Sequence, residues 1–380
     1  MNRGSGDWQG GGGGGGGVAG GGVNLPVLRG HNEALLLDLL RGAGPAGLGR
    51  SELAARTGLT PQAVSKITAR LAAEGLVGEA GRAPSTGGKP RTLLRLVPQA
   101  RHAVGVHVDR DELRAVRVDL AGVVVAESGG PLDFGAGPEV VVEAVVREVA
   151  RVSDPAGPPP LGIGVAAPGP LDHRTGVMGR VTGFPRWEGF PLREALAGRL
   201  GVTAPVPVPV PVVLDKDTNA GVAAPRDAAS LASTTVYLHV GTGLGAGLRL
   251  GGEVYRGGRS GAGEFGHQVL RLDGPPCRCG GRGCAEALCL EAVARGDLAE
   301  AARILGEGAA NLVALLDVDR VLLGGRVVGA APEVFLEGVR AVLAGRARAL
   351  AAEPVVGLAV RGVAEGAAEL ALRPFFGRPA

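Results

Sequence analysis

Three of the four cysteines in this 380-residue chain fall between Cys277 and Cys284, inside the stretch GEFGHQVLRLDGPPCRCGGRGCAE that runs from Gly263 to Glu286. No other feature constrains the fold as tightly. It brings His267, Cys277, Cys279 and Cys284 into one local sequence. Thiolate and imidazole are the ligands that suit tetrahedral zinc, and a Cys3His set fills four positions with none left for water, which is the pattern of a structural site. Gly274, Pro275, Pro276, Gly280, Gly281 and Gly283 supply the turns that one short loop needs to bring three sulfurs to a point. The alternative is a set of free thiols in a reducing cytosol. The Cys-x-Cys-x4-Cys spacing with a His upstream argues against it.

The remaining composition sets bounds. With 45% hydrophobic and only 3% aromatic residues, the chain can build two or three domains whose cores are mainly Val, Leu and Ala. No apolar run reaches the length of a membrane span, and no basic region followed by an apolar stretch opens the sequence, so a cytoplasmic protein with no membrane partner is expected. Four cysteines, three of them in a metal pattern, fit a reducing compartment better than a disulfide framework. The net charge of +3 is unremarkable, but residues 27–97 hold ten Lys and Arg against five Asp and Glu. A basic end suits a polyanion such as nucleic acid, although a solvated basic surface has the same composition.

Residues 1–26 are dominated by the runs Gly10–Gly17 and Gly20–Gly22, which bury almost nothing and favour a disordered tail. From Glu33 to Arg41 the chain is apolar enough for a core helix. Ser51 is placed to cap a helix, SELAART, that stops at Gly58, and Thr60-Pro61 opens another running to about Glu74. Val64, Ile67 and Leu71 form the buried face of that helix, while Gln62, Ser65, Lys66, Ala69 and Arg70 point away. Two short helices joined by Thr57-Gly58-Leu59 have the form of a helix-turn-helix; an ordinary helical hairpin would look similar. Leu76-Val77, a turn-rich Gly78–Gly88, Lys89-Pro90-Arg91 and the alternating Thr92–Val97 then read as a wing with Lys89 and Arg91 near phosphates. Residues 27–97 are therefore expected to be a winged helix-turn-helix, with Gln62, Ser65, Lys66, Arg70, Lys89 and Arg91 as candidate DNA contacts.

From His102 the pattern becomes β-rich: HAVGVHV, ELRAVRVDL and GVVVAES look like three antiparallel strands, followed by a helix from Pro138 to Val152. Leu161–Pro170 reads as a buried strand ending in a Pro-Gly turn. In Ala204–Val212 alternating prolines remove every second ladder donor, giving either an edge strand or a polyproline-like connector. Val236–Leu250 is a strand, a glycine turn and a strand, where Gly241, Gly243 and Gly245 could cradle a phosphate; such hairpins are weak signals alone. Cys289 reads as a small core residue because the metal set is already full. A long helix over Asp297–Leu316, a strand over Arg320–Val327 and a closing helix over Gly362–Leu370 complete the chain.

GEFGH followed by CRCGGRGCAE resembles the zinc signature of the ROK family, which groups sugar-responsive repressors with sugar kinases. SELAARTGLTPQAVSKITARLAAEGLV with its GGKPR wing is similar to the DNA-binding domain of the repressors, which the kinases usually lack. The resemblance spans about Leu28 to Ala368. It implies an α/β fold: an N-terminal winged helix-turn-helix over residues 27–97 and a two-lobed actin-like ATPase (ribonuclease H-like) effector domain over 98–380, with the zinc loop at 263–286. It also implies sugar contacts at Asp217, Glu264, His267 and Glu286, with Asp217 matching the kinase general base and His267 touching both sugar and metal. Gly241, Thr242, Gly243 and Gly245 match the family's second phosphate loop, kept as a vestige.

Three departures accompany it. Where kinases of the family carry Asp-x-Gly-Gly-Thr-Lys, this chain has His107-Val108-Asp109-Arg110-Asp111-Glu112. No glycine lets the backbone approach phosphate there, and the three acids are expected to face and repel an anion. Lys216 replaces an asparagine that would contact sugar, and a helix after Glu286 is expected to be missing. The leading reading is a DNA-binding transcriptional regulator of carbohydrate metabolism, a repressor with no catalytic residue, controlled by a sugar or sugar derivative and holding structural zinc. The resemblance implies a homodimer or homotetramer on a palindromic double-stranded operator. A second reading is an ATP-dependent sugar kinase with Asp217 as base. A third, motivated by Lys216, is a regulator that answers to a phosphorylated metabolite or a protein partner.

Overall fold

The computed structural model describes residues 25–82, 91–203, 210–226, 232–346 and 353–379. The glycine runs before Asn24, Lys89 of the wing and residues 205–209 of the Pro-Val repeat lie outside them. The first helix, α1 (Leu25–Ala43), is longer than the apolar run Glu33–Arg41 and takes in the last two residues assigned to the tail. Strand β1 (Leu48–Gly49) leads into α2 (Arg50–Thr57). Its cap is Gly49, with no side-chain bond, so Ser51 is not the cap; the Ser51 hydroxyl instead accepts from Arg91 at 3.4 Å. Gly58 ends α2 at φ +70°, a backbone state that costs glycine little, and its N–H donates to Ala54 O at 2.9 Å.

Helix α3 (Pro61–Ala73) starts as its sequence requires, the Thr60 hydroxyl accepting from Ala63 N at 3.2 Å. Val64, Ile67 and Leu71 are buried against Leu36, Leu40 and Leu53. The hairpin of β2 (Val77–Arg82) and β3 (Thr92–Leu96) closes the module, and β1 adds a third strand in the order β1-β3-β2. Gly78–Arg82 is therefore strand rather than turn. A register shift between Glu79 and Gly81 leaves Ala80 as the extra residue of the bulged strand.

The first lobe follows with β4 (His102–Val108), β5 (Glu112–Asp119), β6 (Val124–Pro131), α4 (Pro138–Val152), β7 (Ile163–Ala167), the short pair β8 (Leu171–Asp172) and β9 (Val177–Met178), α5 (Leu192–Thr203) and β10 (Val212–Lys216). The sheet order is β10-β7-β4-β5-β6, parallel among β10, β7 and β4 and antiparallel beyond. β10 is thus an edge strand, the place in a sheet that tolerates the preceding Pro211.

Helix α6 (Asp217–Ala223) crosses to a second sheet made of β11 (Thr235–Val240), β12 (Leu244–Leu250), β13 (Glu253–Val254), β14 (Arg320–Gly324) and β15 (Val355–Leu358), in the order β13-β12-β11-β14-β15. Helices Ala285–Ala294, Leu298–Leu316 and Pro332–Gly345 bury Ala, Leu and Val against it. The helix Ala285–Ala294 fills part of the interval in which a missing helix was expected. Helix Val363–Leu372 then inserts between the lobes. It packs so close to the first sheet that a Cβ on Gly105 or Gly164 would lie 1.9 or 1.8 Å from the carbonyls of Ala364 or Ala367.

The N-terminal module does not hang from a linker. Its core is continuous with Val116, Val118, Ala364, Ala368, Leu372 and Phe376. Arg41 of α1 donates to both oxygens of Glu369, at 3.1 and 2.8 Å, and stacks over Phe376 at 4.1 Å. Arg378 holds Asp38 of α1 at 2.7 Å.

Candidate effector cleft and metal centre

His267 ends a short 3-10 turn, Phe265–His267, and the cysteines follow in a loop pinned by Cys277 N to Gly281 O and Gly283 N to Pro275 O, both 2.8 Å. The four donor atoms of His267, Cys277, Cys279 and Cys284 lie within 4.8 Å of one another. Cys277 Sγ sits 3.7 Å from His267 Nδ1, and Cys279 Sγ 3.7 Å from Cys284 Sγ. Gly283 is indispensable: at φ +64° a Cβ there would lie 1.6 Å from Arg271 O. Burial and the two neighbouring thiols push the Cys284 thiol up to about 12. Three sulfurs and an imidazole at this spacing form a centre that fits a divalent, tetrahedral metal ion. Cys289 is no part of it, being fully buried with its thiol toward Ala301 O.

The metal loop forms one wall of a cleft between the lobes, a cavity of ≈ 90 Å³. Asp217, Glu264, His267 and Glu286, drawn from three separate segments, all line it. Asp217 opens α6, directly after the end of β10, where ligands gather in open α/β sheets. Its carboxyl is raised above the usual range, chiefly by burial in the cleft wall, against the opposing pull of His239 and of the Thr218 amide. Glu286 is fixed by accepting from Leu244 N at 2.9 Å. The close approach of these walls needs glycine, since a Cβ on Gly263 would lie 2.0 Å from Ala246 O and one on Gly266 would lie 2.2 Å from Leu244 O.

Lys216 is not a free cation. Its ammonium is buried and donates to Ala262 O at 2.5 Å and to Glu264 Oε1 at 3.0 Å. That pairing removes the unbalanced charge that would favour an anionic ligand. It also commits one oxygen of Glu264.

The stretch replacing the phosphate loop corrects one expectation. Of its three acids only Asp109 lines the cleft, while Asp111 is held by Arg326 at 2.6 Å and Glu112 belongs to β5. Burial would raise the Asp109 carboxyl, but the Arg110 amide at 2.7 Å, nearby His107 and the Thr242 hydroxyl at 2.8 Å hold it below its ordinary value. Arg110 Nη1 reaches Thr242 O at 3.3 Å. The three acids thus do not form a row of carboxylates facing the cleft. Side chains of Asp109, Arg110 and Asp111 instead bind the first lobe to Thr242 and Arg326 of the second. Gly243 and Gly245 line the same cavity, and Gly241 adjoins it, its N–H donating to Gly243 O at 3.0 Å.

Sequence reasoning missed two histidines behind Asp109. His107 and His239 meet edge to face at 6.0 Å, and Tyr237 hydroxyl is 3.0 Å from His239 Nδ1. The signal was available as polar residues inside the apolar strands HAVGVHV and TVYLHV. Burial, then His239, lowers the pKa of His107 to about 4, so the ring is neutral at pH 7. Between about pH 6.5 and 4 the unfolded chain binds this proton and the folded one does not, so stability falls as pH falls through that window, by at most about 1.4 kcal/mol per pH unit from this group. His107→Gln is expected to flatten acid unfolding there, measured by denaturant titration at pH 4.5 and 6.5. An unchanged pH dependence would refute the assignment.

On the N-terminal module Gln62, Ser65, Lys66 and Arg70 are exposed on α3. Arg70 is ion-paired to Glu33 of α1, so its charge is partly committed within the module. Arg91 is exposed at the base of the wing.

Two five-stranded sheets flanking a cleft, with a metal loop in one wall, define an actin-like ATPase-type domain, here joined to a winged helix. The chain belongs to the ROK family, whose sequence profile matches residues 104–295. A ROK hexokinase from Thermus thermophilus is 32% identical, covering 70% of this chain and 97% of that one with a TM-score of 0.55. A ROK family transcriptional regulator described as a homolog of the E. coli MLC protein shares the fold over 92% of this chain and 97% of its own, with a TM-score of 0.70 at 18% identity. The xylose repressor of Bacillus subtilis is 28% identical over 260 residues, 67% of this chain and 64% of that protein. Among the described residues no helix is long and apolar enough to cross a membrane.

Proposed function

We propose that the chain is a sugar-responsive transcriptional regulator, most simply a repressor, with residues 27–97 as the DNA-binding unit, 98–380 as the effector domain and zinc as a structural ion held by His267, Cys277, Cys279 and Cys284. The observation that carries the reading is the union of two things in one body: an exposed recognition helix, and a cleft whose carboxylates converge while its first phosphate loop is replaced by an inter-lobe clasp. Relatives that are named repressors support it, as does the regulator with the same fold. Carboxylates at Asp217, Glu264 and Glu286 suit the hydroxyl donors of a neutral sugar, and the pairing of Lys216 with Glu264 favours such a ligand over an anionic one. Zinc would supply shape only, fixing His267 and the helix that bears Glu286. With Asp109 and Arg110 in the phosphate position, Asp217 acts as a hydrogen-bond acceptor and not as a base.

The sugar changes DNA affinity only by favouring one lobe arrangement, and a dimer or tetramer would present paired recognition helices to a palindromic site. Selection of DNA from a random library, repeated with a panel of hexoses, pentoses and N-acetylhexosamines, is expected to enrich a palindrome that one sugar gains or loses. Lys66→Ala should weaken operator binding and lower the salt slope by about 1. The same protein is expected to transfer no phosphoryl group from ATP to these sugars. Enrichment of no sequence, together with steady sugar phosphorylation, would reverse the reading in favour of a kinase.

A further inference from the structure

Where α1 meets the effector domain, several guanidinium groups crowd together. A cavity of ≈ 60 Å³ is lined by Arg41, Arg226, Arg373 and Arg378, and the acids in its described lining are Asp38 and Glu369. Both acids are already engaged, Glu369 by Arg41 at 2.8 Å and Arg226 at 3.4 Å, and Asp38 by Arg378 at 2.7 Å. Other donors fall on backbone carbonyls: Arg226 on Ala121 O at 2.7 Å, Arg249 on Pro225 O at 3.2 Å, and Arg361 on Gly122 O at 2.7 Å. At Gly122, three guanidinium groups crowd one point, since a Cβ there would lie 2.8, 3.0 and 3.6 Å from nitrogens of Arg361, Arg226 and Arg41. Arg373 is drawn off by Glu253, but the Nε atoms of Arg41 and Arg373 are buried without a partner among the described residues. Burial, only partly offset by Glu369, and the adjacent Arg41 and Arg361 bring the pKa of Arg226 down to about 10. Packed guanidinium groups in a low-dielectric junction repel unless an anion enters.

We infer that this junction is a binding site for a phosphoryl dianion, taken either as free inorganic phosphate or as the phosphate of a phosphorylated sugar, and that the bound anion fastens α1 to the effector domain. Guanidinium forks match phosphate oxygens in pairs, and the cavity accepts a small tetrahedral group. The site is distinct from the cleft at Asp217. Asp38, Arg41 and Gly42 of its wall come from the DNA-binding unit and the rest from the effector domain, so an anion that binds only the docked arrangement stabilises that arrangement.

Titration of the full-length protein with inorganic phosphate in a low-chloride buffer, followed by calorimetry and by thermal unfolding, is the test. One saturable site per chain and a rising unfolding temperature are expected. Arg226→Gln should weaken binding by about tenfold or more, as loss of a charge-assisted pair predicts. Arg378→Gln, at the more exposed rim, keeps the test open if the first variant folds poorly, and should weaken it less. Asp217→Asn should bind phosphate as the parent does. In a second arm, glucose 6-phosphate binding equal to phosphate assigns recognition to the phosphoryl group alone, whereas tighter binding that Arg226→Gln abolishes assigns a sugar phosphate. The inference is overturned by the absence of saturable binding of either compound, by binding that both arginine variants retain in full, or by phosphate binding that Asp217→Asn loses.

Discussion

On the proposed reading, Cys284→Ser is expected to abolish metal binding and, with it, recognition of the effector. Cys284 has two duties in the structure. It contributes a sulfur within 4.8 Å of the other three donors, and it is the N-cap of the helix Ala285–Ala294 on which Glu286 stands. His267 belongs to both the donor set and the cleft wall. Loss of the metal therefore frees His267 and loosens the start of the helix that carries Glu286, and effector affinity should fall by roughly 100-fold, the upper range for disturbed ligand shells. Because binding of a structural metal is itself folding free energy, the second lobe should also unfold at lower temperature. Operator binding without effector is expected to persist, since α3 and the wing lie in another module, and its persistence separates this outcome from global misfolding. Elemental analysis, calorimetry with the effector and operator titration read the three effects. One metal per chain and unchanged effector affinity in the variant would remove the zinc loop from the argument.

That centre was legible from sequence because its geometry is local: three sulfurs within one loop are placed by turns that Gly280 and Gly283 announce. Strands β4 to β7 and helix α3 were legible for a similar reason, their apolar periodicity being strong. Asp217, Glu264 and Glu286 come from distant segments, and only likeness to a family could bring them together on paper; the cavity then contains all of them. The pairings that sequence could not reveal are those between remote residues. Lys216 reads as an intruding cation until Glu264 is seen beside it, and Asp111 reads as a repulsive charge until Arg326 is. Strand β1 has two residues and no pattern of its own, since it exists only as partner to β3. Helix Ala285–Ala294 carries Glu286 toward the cleft and the exposed Glu291 among its apolar residues, and so shows little periodicity.

The junction between modules is the most remote pairing of all, and it supplies the second large effect. Glu369→Ala is expected to leave effector binding intact while abolishing the effector's influence on operator affinity. Asp217 begins α6, and α6 rests on helix Val363–Leu372 so closely that a Cβ on Gly366 would lie 1.8 Å from Ala220 O. The same helix ends near Glu369, whose carboxylate holds Arg41 of α1 and lies 3.4 Å from Arg226. A shift of α6 on effector binding therefore reaches α1 through one rigid helix and one buried ion pair. Removing the acid leaves two buried guanidinium groups facing each other, a change that typically costs about 3–5 kcal/mol. The polar tie of α1 should be lost while the apolar core that it shares with Val116, Val118, Ala364 and Leu372 keeps the two modules in contact. Calorimetry with the sugar identified by selection, and operator titration with and without it, measure the two halves of the claim. An effector response of parental size in Glu369→Ala would show that coupling runs by another route, whereas loss of sugar binding itself would place the defect in the cleft.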